Sequence, residues 1–126
     1  MSGRNPLSGR PPRGSTMSPE MQIRPFQPGD GKAVVELWKE AGLVVPWNDP
    51  DRDIRRKLQV QPGLFLVGRV SGELAATVMA GYEGHRGWLN YLAVATRFRR
   101  RGFGRRMVAE AELRLREMGC PKINIQ

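Results

Sequence analysis

The sequence predicts one domain of α+β or α/β class, in which helices pack against a mixed sheet. Its 126 residues suit a single hydrophobic core. Apolar runs of strand length alternate with amphipathic segments of helical period in the order β-α-α-β-β-β-α-β. The strands before and after the last helix are expected to be parallel and joined by a right-handed crossover.

The first three elements are predicted from short periodic segments and from their capping residues. Residues 21–24 alternate in polarity and predict a strand. Residues 31–41 carry apolar side chains on one helical face, with Asp30 as the expected N-cap. Residues 50–59 predict a second helix, for which Asp49 is the expected cap.

The later elements include a hairpin and a strand–turn–helix unit. Residues 64–70 and 74–82 predict two strands joined by a tight turn. Residues 88–94 predict another strand, and residues 106–118 predict the long helix that follows it. Residues 122–126 predict the strand that follows this helix.

The bulk composition favours a cytoplasmic protein with an anionic partner. Residues 1–20 are rich in proline, glycine and polar side chains and are expected to form a disordered tail, so that the domain comprises residues 21–126. The net charge is +9, and no apolar run is long enough for a signal peptide or a membrane span. One cysteine, Cys120, permits no internal disulfide, and no metal-ligand spacing is present. A nucleic-acid partner is disfavoured because exposed aromatic residues are not interleaved with the basic ones.

The turn that follows the strand 88–94 indicates a phosphate site. Its sequence, Arg97–Arg105, combines five arginines before a helix with two glycines, Gly102 and Gly104. Amides at a helix N-terminus have no intrahelical partner and carry the positive end of the helix dipole. Glycines let a ligand approach these amides, and arginines add charge-assisted hydrogen bonds.

The same residues carry a resemblance to a known family. The strand end at Leu92, Ala93 and Val94, followed after a short spacer by Arg99-x-x-Gly102-x-Gly104, resembles the acetyl-CoA signature of the GNAT superfamily of N-acetyltransferases. Residues 46–50, 81–87 and 119–123 are similar to a bacterial, YpeA-like branch of that family.

The resemblance implies a GNAT-like fold and transfer of an acetyl group from acetyl-CoA to a primary amine, which could belong to a protein N-terminus, a lysine or a small molecule. In the family, the matching strand pairs its backbone with the pantetheine arm, and one N–H polarises the thioester carbonyl. The matching turn wraps the pyrophosphate. The implied cofactor-binding residues are Leu92, Ala93, Val94, Arg99, Arg100, Arg101, Gly102, Phe103, Gly104 and Arg105.

The family pattern continues beyond this chain. Family members usually add a helix and two strands after the strand that matches residues 122–126, together with a tyrosine that protonates the leaving thiolate. This C-terminally truncated pattern leaves three alternatives: an active enzyme, a catalytically impaired CoA-binding module or fragment, and a homodimer or other assembly in which a second chain completes the site.

Candidates for the acceptor side come from the loop before the strand 88–94 and from that strand. Glu83 and His85 are candidate catalytic residues, as a general base or as substrate contacts, with Glu83 preferred as the base. Asn90 cannot act as a base and could serve only by orientation. Tyr91 is expected to be a packed aromatic, and residues 55–57 are expected to form a solvated helix face.

Overall fold

The computed structural model describes residues 20–47 and 49–125 and places five strands in a single sheet. The predicted tail, residues 1–20, lies outside the described residues apart from Glu20. The strands, in their order across the sheet, are β1 (Gln22–Pro25), β2 (Phe65–Val70), β3 (Glu73–Tyr82), β4 (Gly87–Val94) and β5 (Ile123–Ile125).

The directions of the strands confirm the predicted mixed sheet. Strands β1 to β4 are antiparallel to their neighbours, whereas β5 is parallel to β4. The β2–β3 hairpin closes through Ser71 and Gly72, whose φ values of 50° and 82° are the two positive angles that a type I′ turn requires.

Three helices complete the predicted element order: α1 (Gly31–Glu40), α2 (Pro50–Val60) and α3 (Phe103–Glu117). Helix α2 begins as the sequence predicts, because the carboxylate of Asp49 accepts a hydrogen bond of 3.2 Å from the backbone N–H of Arg52.

Asp30 is the N-cap residue of α1, as the sequence predicts, but it does not cap the helix with its side chain. It has helical φ and ψ angles and makes no side-chain hydrogen bond to α1. Its carboxylate is buried and instead accepts hydrogen bonds from Arg24 at 2.7 Å, Arg69 at 3.1 Å and the backbone N–H of Gln27 at 2.8 Å. Burial alone would raise the pKa of Asp30, but these hydrogen bonds and the two positive charges lower it below its usual value.

The sheet is covered on both faces, which gives it two hydrophobic layers. Alternate residues of β2 point to opposite sides: Phe65 and Val67 pack beneath α1 and α2, whereas Leu66 and Val70 pack against α3. The central strand β3 is buried along most of its length. The end of β4 contacts both layers, through Val94 on the α3 side and Ala93 on the side of α1 and α2.

Candidate active site

The Arg/Gly turn connects the end of β4 to α3 in the predicted order, but the helix begins three residues earlier than predicted, at Phe103 rather than Arg106. Gly102 is the N-cap and has a φ of 79°, which favours glycine, and Gly104 lies inside the first helical turn. The low helix propensity of glycine explains the error, because two glycines in three positions indicate a turn when packing is ignored.

The first amides of α3 are free of protein partners. A glycine N-cap has no side chain to cap the helix, and within the described residues the N–H groups of Phe103, Gly104 and Arg105 donate no hydrogen bond. A Cβ at Gly104 would lie 3.4 Å from the Val94 side chain, which places the first turn of the helix beside the end of β4. Three unpaired donors therefore face outward at the positive end of a helix of 15 residues.

The arginines of the turn divide into two groups. Arg97 forms an ion pair with Glu73 at 2.6 Å, Arg99 donates to the carbonyl of Val94 at 3.1 Å, and these contacts hold the turn against the sheet. In the described part of the chain, Arg100, Arg101 and Arg105 are exposed and have no acidic partner. These last three arginines, which we call the free arginines, therefore leave their positive charge available beside the unpaired amides.

Strand β4 contains a bulge that the sequence does not predict. Tyr91 has a φ of 53°, and the register between β3 and β4 shifts so that two residues, Tyr91 and Leu92, face the single residue Val78. Tyrosine carries no preference for this left-handed conformation, so local sequence offers no signal for it.

Tertiary contacts hold Tyr91 in this conformation. Its ring stacks on Trp38 at 4.0 Å, and its carbonyl accepts a hydrogen bond of 2.9 Å from the Thr77 hydroxyl. The Trp38 indole N–H donates to the same hydroxyl at 3.0 Å. The phenol donates to Asp53 at 2.5 Å; burial and then this hydrogen bond raise the pKa of Tyr91 to about 12. Tyr91 is packed, as expected.

One edge of β4 is open beyond its first residues. Strand β5 pairs only with Gly87, Trp88 and Leu89, so in the described part of the chain the edge from Asn90 to Val94 has no strand beside it. Leu92 is exposed there, whereas Ala93 is buried against the α1–α2 face. The bulge and the open edge coincide, so backbone polar groups are available just before the Arg/Gly turn.

Glu83 and His85 lie at the other end of β4. Both are exposed in the loop between β3 and β4, and neither makes a hydrogen bond with the described residues. At about 3.4 Å per residue, the loop is roughly 14 Å from the bulge and roughly 24 Å from the Arg/Gly turn. The structure does not bring these two residues together with the turn.

A cavity of about 310 Å³ lies between α2 and the outer half of the sheet, and we call it the α2 cavity. It adjoins the bulge, because Asn90 and Tyr91 form part of its wall. The sequence does not predict this cavity, because the residues that line it come from two helical turns and two strands. The residues that line it are Asp53, Arg56, Lys57, Val60, Gln61, Met79, Trp88, Asn90 and Tyr91.

Lys57 is buried, contrary to the expectation that residues 55–57 form a solvated face; only 6% of its surface is exposed. Its ammonium donates to the Gln61 side chain at 3.1 Å and lies 5.2 Å from the centre of the Trp88 ring. Gln61 is fixed in turn by two hydrogen bonds with the backbone of Tyr82. Burial lowers the pKa of Lys57 to about 8.

We expect Lys57→Met to stabilise the protein at pH 7 by about 1–2 kcal/mol, because it removes a buried charge that a hydrogen bond and an aromatic ring compensate only in part. The folded-state pKa of about 8 lies below the unfolded value of 10.5, so the penalty is complete below pH 8 and fades towards pH 10.5. The gain should therefore shrink as pH rises through this interval. Urea denaturation at pH 7 and at pH 10 measures it, and an equal gain at both would contradict the assignment.

The described residues contain no group of three or more His, Cys, Asp or Glu side chains that could hold a metal ion. None of the described helices is both long and apolar enough to cross a bilayer.

Comparison with known proteins gives a consistent family. Residues 32–126 match the model of the acetyltransferase (GNAT) family. An acetyltransferase of Yersinia enterocolitica is 50% identical over 105 residues, which cover 83% of this chain and 74% of that protein. Another acetyltransferase, from Pectobacterium atrosepticum, is 48% identical over the same length.

The solved structures with a similar fold are acetyltransferases of low identity. A GNAT family acetyltransferase from Brucella melitensis in complex with acetyl-CoA has a TM-score of 0.63 and 20% identity, covering 82% of this chain and 73% of that one. The structure of AAC(6')-Iy in complex with the bisubstrate analog CoA-S-monomethyl-acetylneamine has a TM-score of 0.70 and 18% identity, covering 85% of this chain and 79% of that one.

Proposed function

Because this chain belongs to the GNAT family of acetyltransferases and is an acyltransferase of that family, we propose that it transfers the acetyl group of acetyl-CoA to a primary amine. The neutral amine attacks the thioester carbonyl carbon, a C–N bond forms, and the C–S bond breaks. The electron pair leaves on the CoA sulfur, and the proton lost by the nitrogen ends on that thiolate. The products are an N-acetylated amine and CoA.

The observation that carries the proposal is the cluster of unpaired donors where β4 meets α3. In our proposal, the free amides of Phe103, Gly104 and Arg105 bind the pyrophosphate of acetyl-CoA. The free arginines pair with the pyrophosphate and the 3′-phosphate. Arg99 supports the turn, since its guanidinium is bonded to the Val94 carbonyl. A helix start with neither a side-chain cap nor an acidic neighbour favours a polyanionic ligand.

In this proposal, the pantetheine arm of acetyl-CoA lies along the open edge of β4. The amide groups of the arm form hydrogen bonds with the backbone of Leu92, Ala93 and Val94, as a neighbouring strand does in a sheet. The bulge turns the backbone at Tyr91 and Leu92 out of register with β3, and an N–H there would donate to the thioester carbonyl. Such a preorganised donor stabilises the negative charge that forms on the oxygen in the transition state.

Glu83 and His85 have no catalytic role in this proposal. Their loop is roughly 14 Å from the bulge, which is too far for direct proton transfer to an amine held there. The test is Glu83→Gln and His85→Asn, which should leave kcat and the KM for acetyl-CoA within about twofold of wild type, whereas loss of a general base would lower kcat by about 100-fold.

Calorimetry with acetyl-CoA, followed by an assay for thiol release with a panel of amines, tests the function. We expect saturable binding that free CoA displaces, and acetyl transfer above the solution background. Absence of both heat and competition at high micromolar acetyl-CoA would contradict cofactor binding. Binding without transfer to any amine would instead assign the chain as a CoA-binding module.

A further inference from the structure

Asn90 lines the α2 cavity and has a side-chain oxygen without a partner. This oxygen is buried and accepts no hydrogen bond from the described residues. A buried acceptor without a donor destabilises a protein unless a ligand supplies that donor. Asn90 also directly precedes the bulge residue Tyr91, so an amine that donates to it lies beside the β4 backbone.

The charges that line this cavity are separated along its length. Asp53 contacts the Tyr91 hydroxyl and therefore lies at the bulge end. Lys57 contacts Gln61, which is bonded to Tyr82, and therefore lies towards the start of β4. Asp53 and Lys57 are one helical turn apart on α2, a rise of about 6 Å. The carboxylate end suits a cation and the ammonium end suits an anion.

The positions of the lining residues along strand β4 independently support a similar separation between the two ends of the cavity. The ammonium of Lys57 lies over the Trp88 ring, and Asn90 is two residues further along the strand, roughly 7 Å away. Arg56 lines the cavity on the same helix, is exposed and has no acidic partner in the described residues. The lining of the cavity therefore combines two positive side chains, Lys57 and Arg56, with two side chains that offer oxygen acceptors, Asp53 and Asn90.

Resting on the function proposed above, we propose that the α2 cavity is the acceptor subsite and that it selects a small amine carrying an anionic group about 6 Å from its nitrogen. The amine donates to the Asn90 oxygen beside Asp53, and the carboxylate or phosphate of the acceptor pairs with Lys57 and Arg56. A volume of about 310 Å³ suits a molecule of amino-acid size. In this proposal the substrate is a zwitterionic metabolite rather than a protein lysine.

Matched amines test this selection. The probes are 4-aminobutyrate and n-butylamine, which share the same amine and carbon chain up to the carboxylate, and O-phosphoethanolamine with ethanolamine. We expect each amine with an anionic group to bind the CoA-loaded protein at least about tenfold more tightly than its counterpart without that group in calorimetry. The ratio of kcat/KM in the acetyl-transfer assay should show the same preference.

Substitutions of the lining residues test whether the α2 cavity causes the preference for an anionic group. Lys57→Met should raise KM for 4-aminobutyrate about tenfold or more, while KM for acetyl-CoA and for n-butylamine changes less than about twofold. Asn90→Leu should weaken both amines, because it removes the acceptor of their shared nitrogen. Lys32→Met, which removes an exposed lysine at the start of α1, is the matched control and should change neither.

The outcomes separate this inference from the proposed function. Equal binding and equal acetylation of the amines with and without the anionic group would overturn the selection and leave the acetyltransferase function intact. Absence of measurable binding of either anionic amine to the CoA-loaded protein would also overturn it. Acetylation of peptide amines with none of the small amines would replace it with a protein acceptor. Failure of acetyl-CoA itself to bind would instead contradict the cofactor site.

Discussion

Simultaneous substitution of the free arginines, Arg100→Glu, Arg101→Glu and Arg105→Glu, should weaken acetyl-CoA binding by about 100-fold or more. Each arginine that contacts a phosphate contributes a charge-assisted hydrogen bond worth about 1.5–3 kcal/mol, so loss of two accounts for this factor. Calorimetry at low salt measures the affinity. The wild-type affinity should fall as salt is added, and this dependence should largely disappear in the variant.

The fold should tolerate this triple substitution. The three side chains are exposed and make no ion pair within the described residues, and an acidic residue in the first turn of a helix is favourable. The matched control is Arg52→Glu, Arg55→Glu and Arg116→Glu, which changes the net charge equally at exposed positions away from the turn. If the affinity of the turn variant for acetyl-CoA stays within about threefold of wild type, the turn is not part of the cofactor site. Net charge alone does not position a phosphate.

Trp38→Ala should destabilise the protein by about 3–5 kcal/mol. Trp38 is fully buried, stacks on Phe65 and Tyr91, and donates its indole N–H to Thr77. Its removal leaves a cavity under the sheet and takes away the ring that supports the bulge at Tyr91. We expect a fall in the melting temperature of roughly 15 °C or more, measured by circular dichroism.

Trp47 provides the internal control, because 83% of its surface is exposed. Trp47→Ala should change the free energy of unfolding by less than about 0.5 kcal/mol. If Trp38→Ala does not fold at all, Trp38→Phe keeps an aromatic ring at this position but loses the hydrogen bond to Thr77 and part of the ring volume, which together should cost about 1–3 kcal/mol. A Trp38→Phe variant as stable as wild type, with unchanged kcat, would contradict the role of this hydrogen bond in holding the bulge.

The buried lysine shows why the candidate acceptor site was not predictable in the same way as the cofactor turn. Lys57 lies in a basic run that is typical of a solvated helix face, yet the fold places Gln61 and Trp88 over it. Of the two residues that contact Lys57, Trp88 is distant in sequence and Gln61 lies one helical turn away. Glu83 and His85, in contrast, have residue types suited to catalysis but lie in an exposed loop without partners.

Local patterns determined the element order, the hairpin turn at Ser71 and Gly72, the cap at Asp49 and the Arg/Gly turn at the start of α3. These features depend on residues close together in the chain, where backbone preference and polarity act directly.

Only the tertiary structure decided which groups bind the Asp30 carboxylate, why Tyr91 is left-handed and how the charges are separated in the α2 cavity. Asp30 could cap a helix locally, but Arg69, 39 residues away, supplies a buried partner. Tyr91 takes an unfavourable φ because Trp38, Asp53 and Thr77 hold it from three elements. Such contacts join residues far apart in sequence, and their free energies outweigh the local preferences from which a sequence is interpreted.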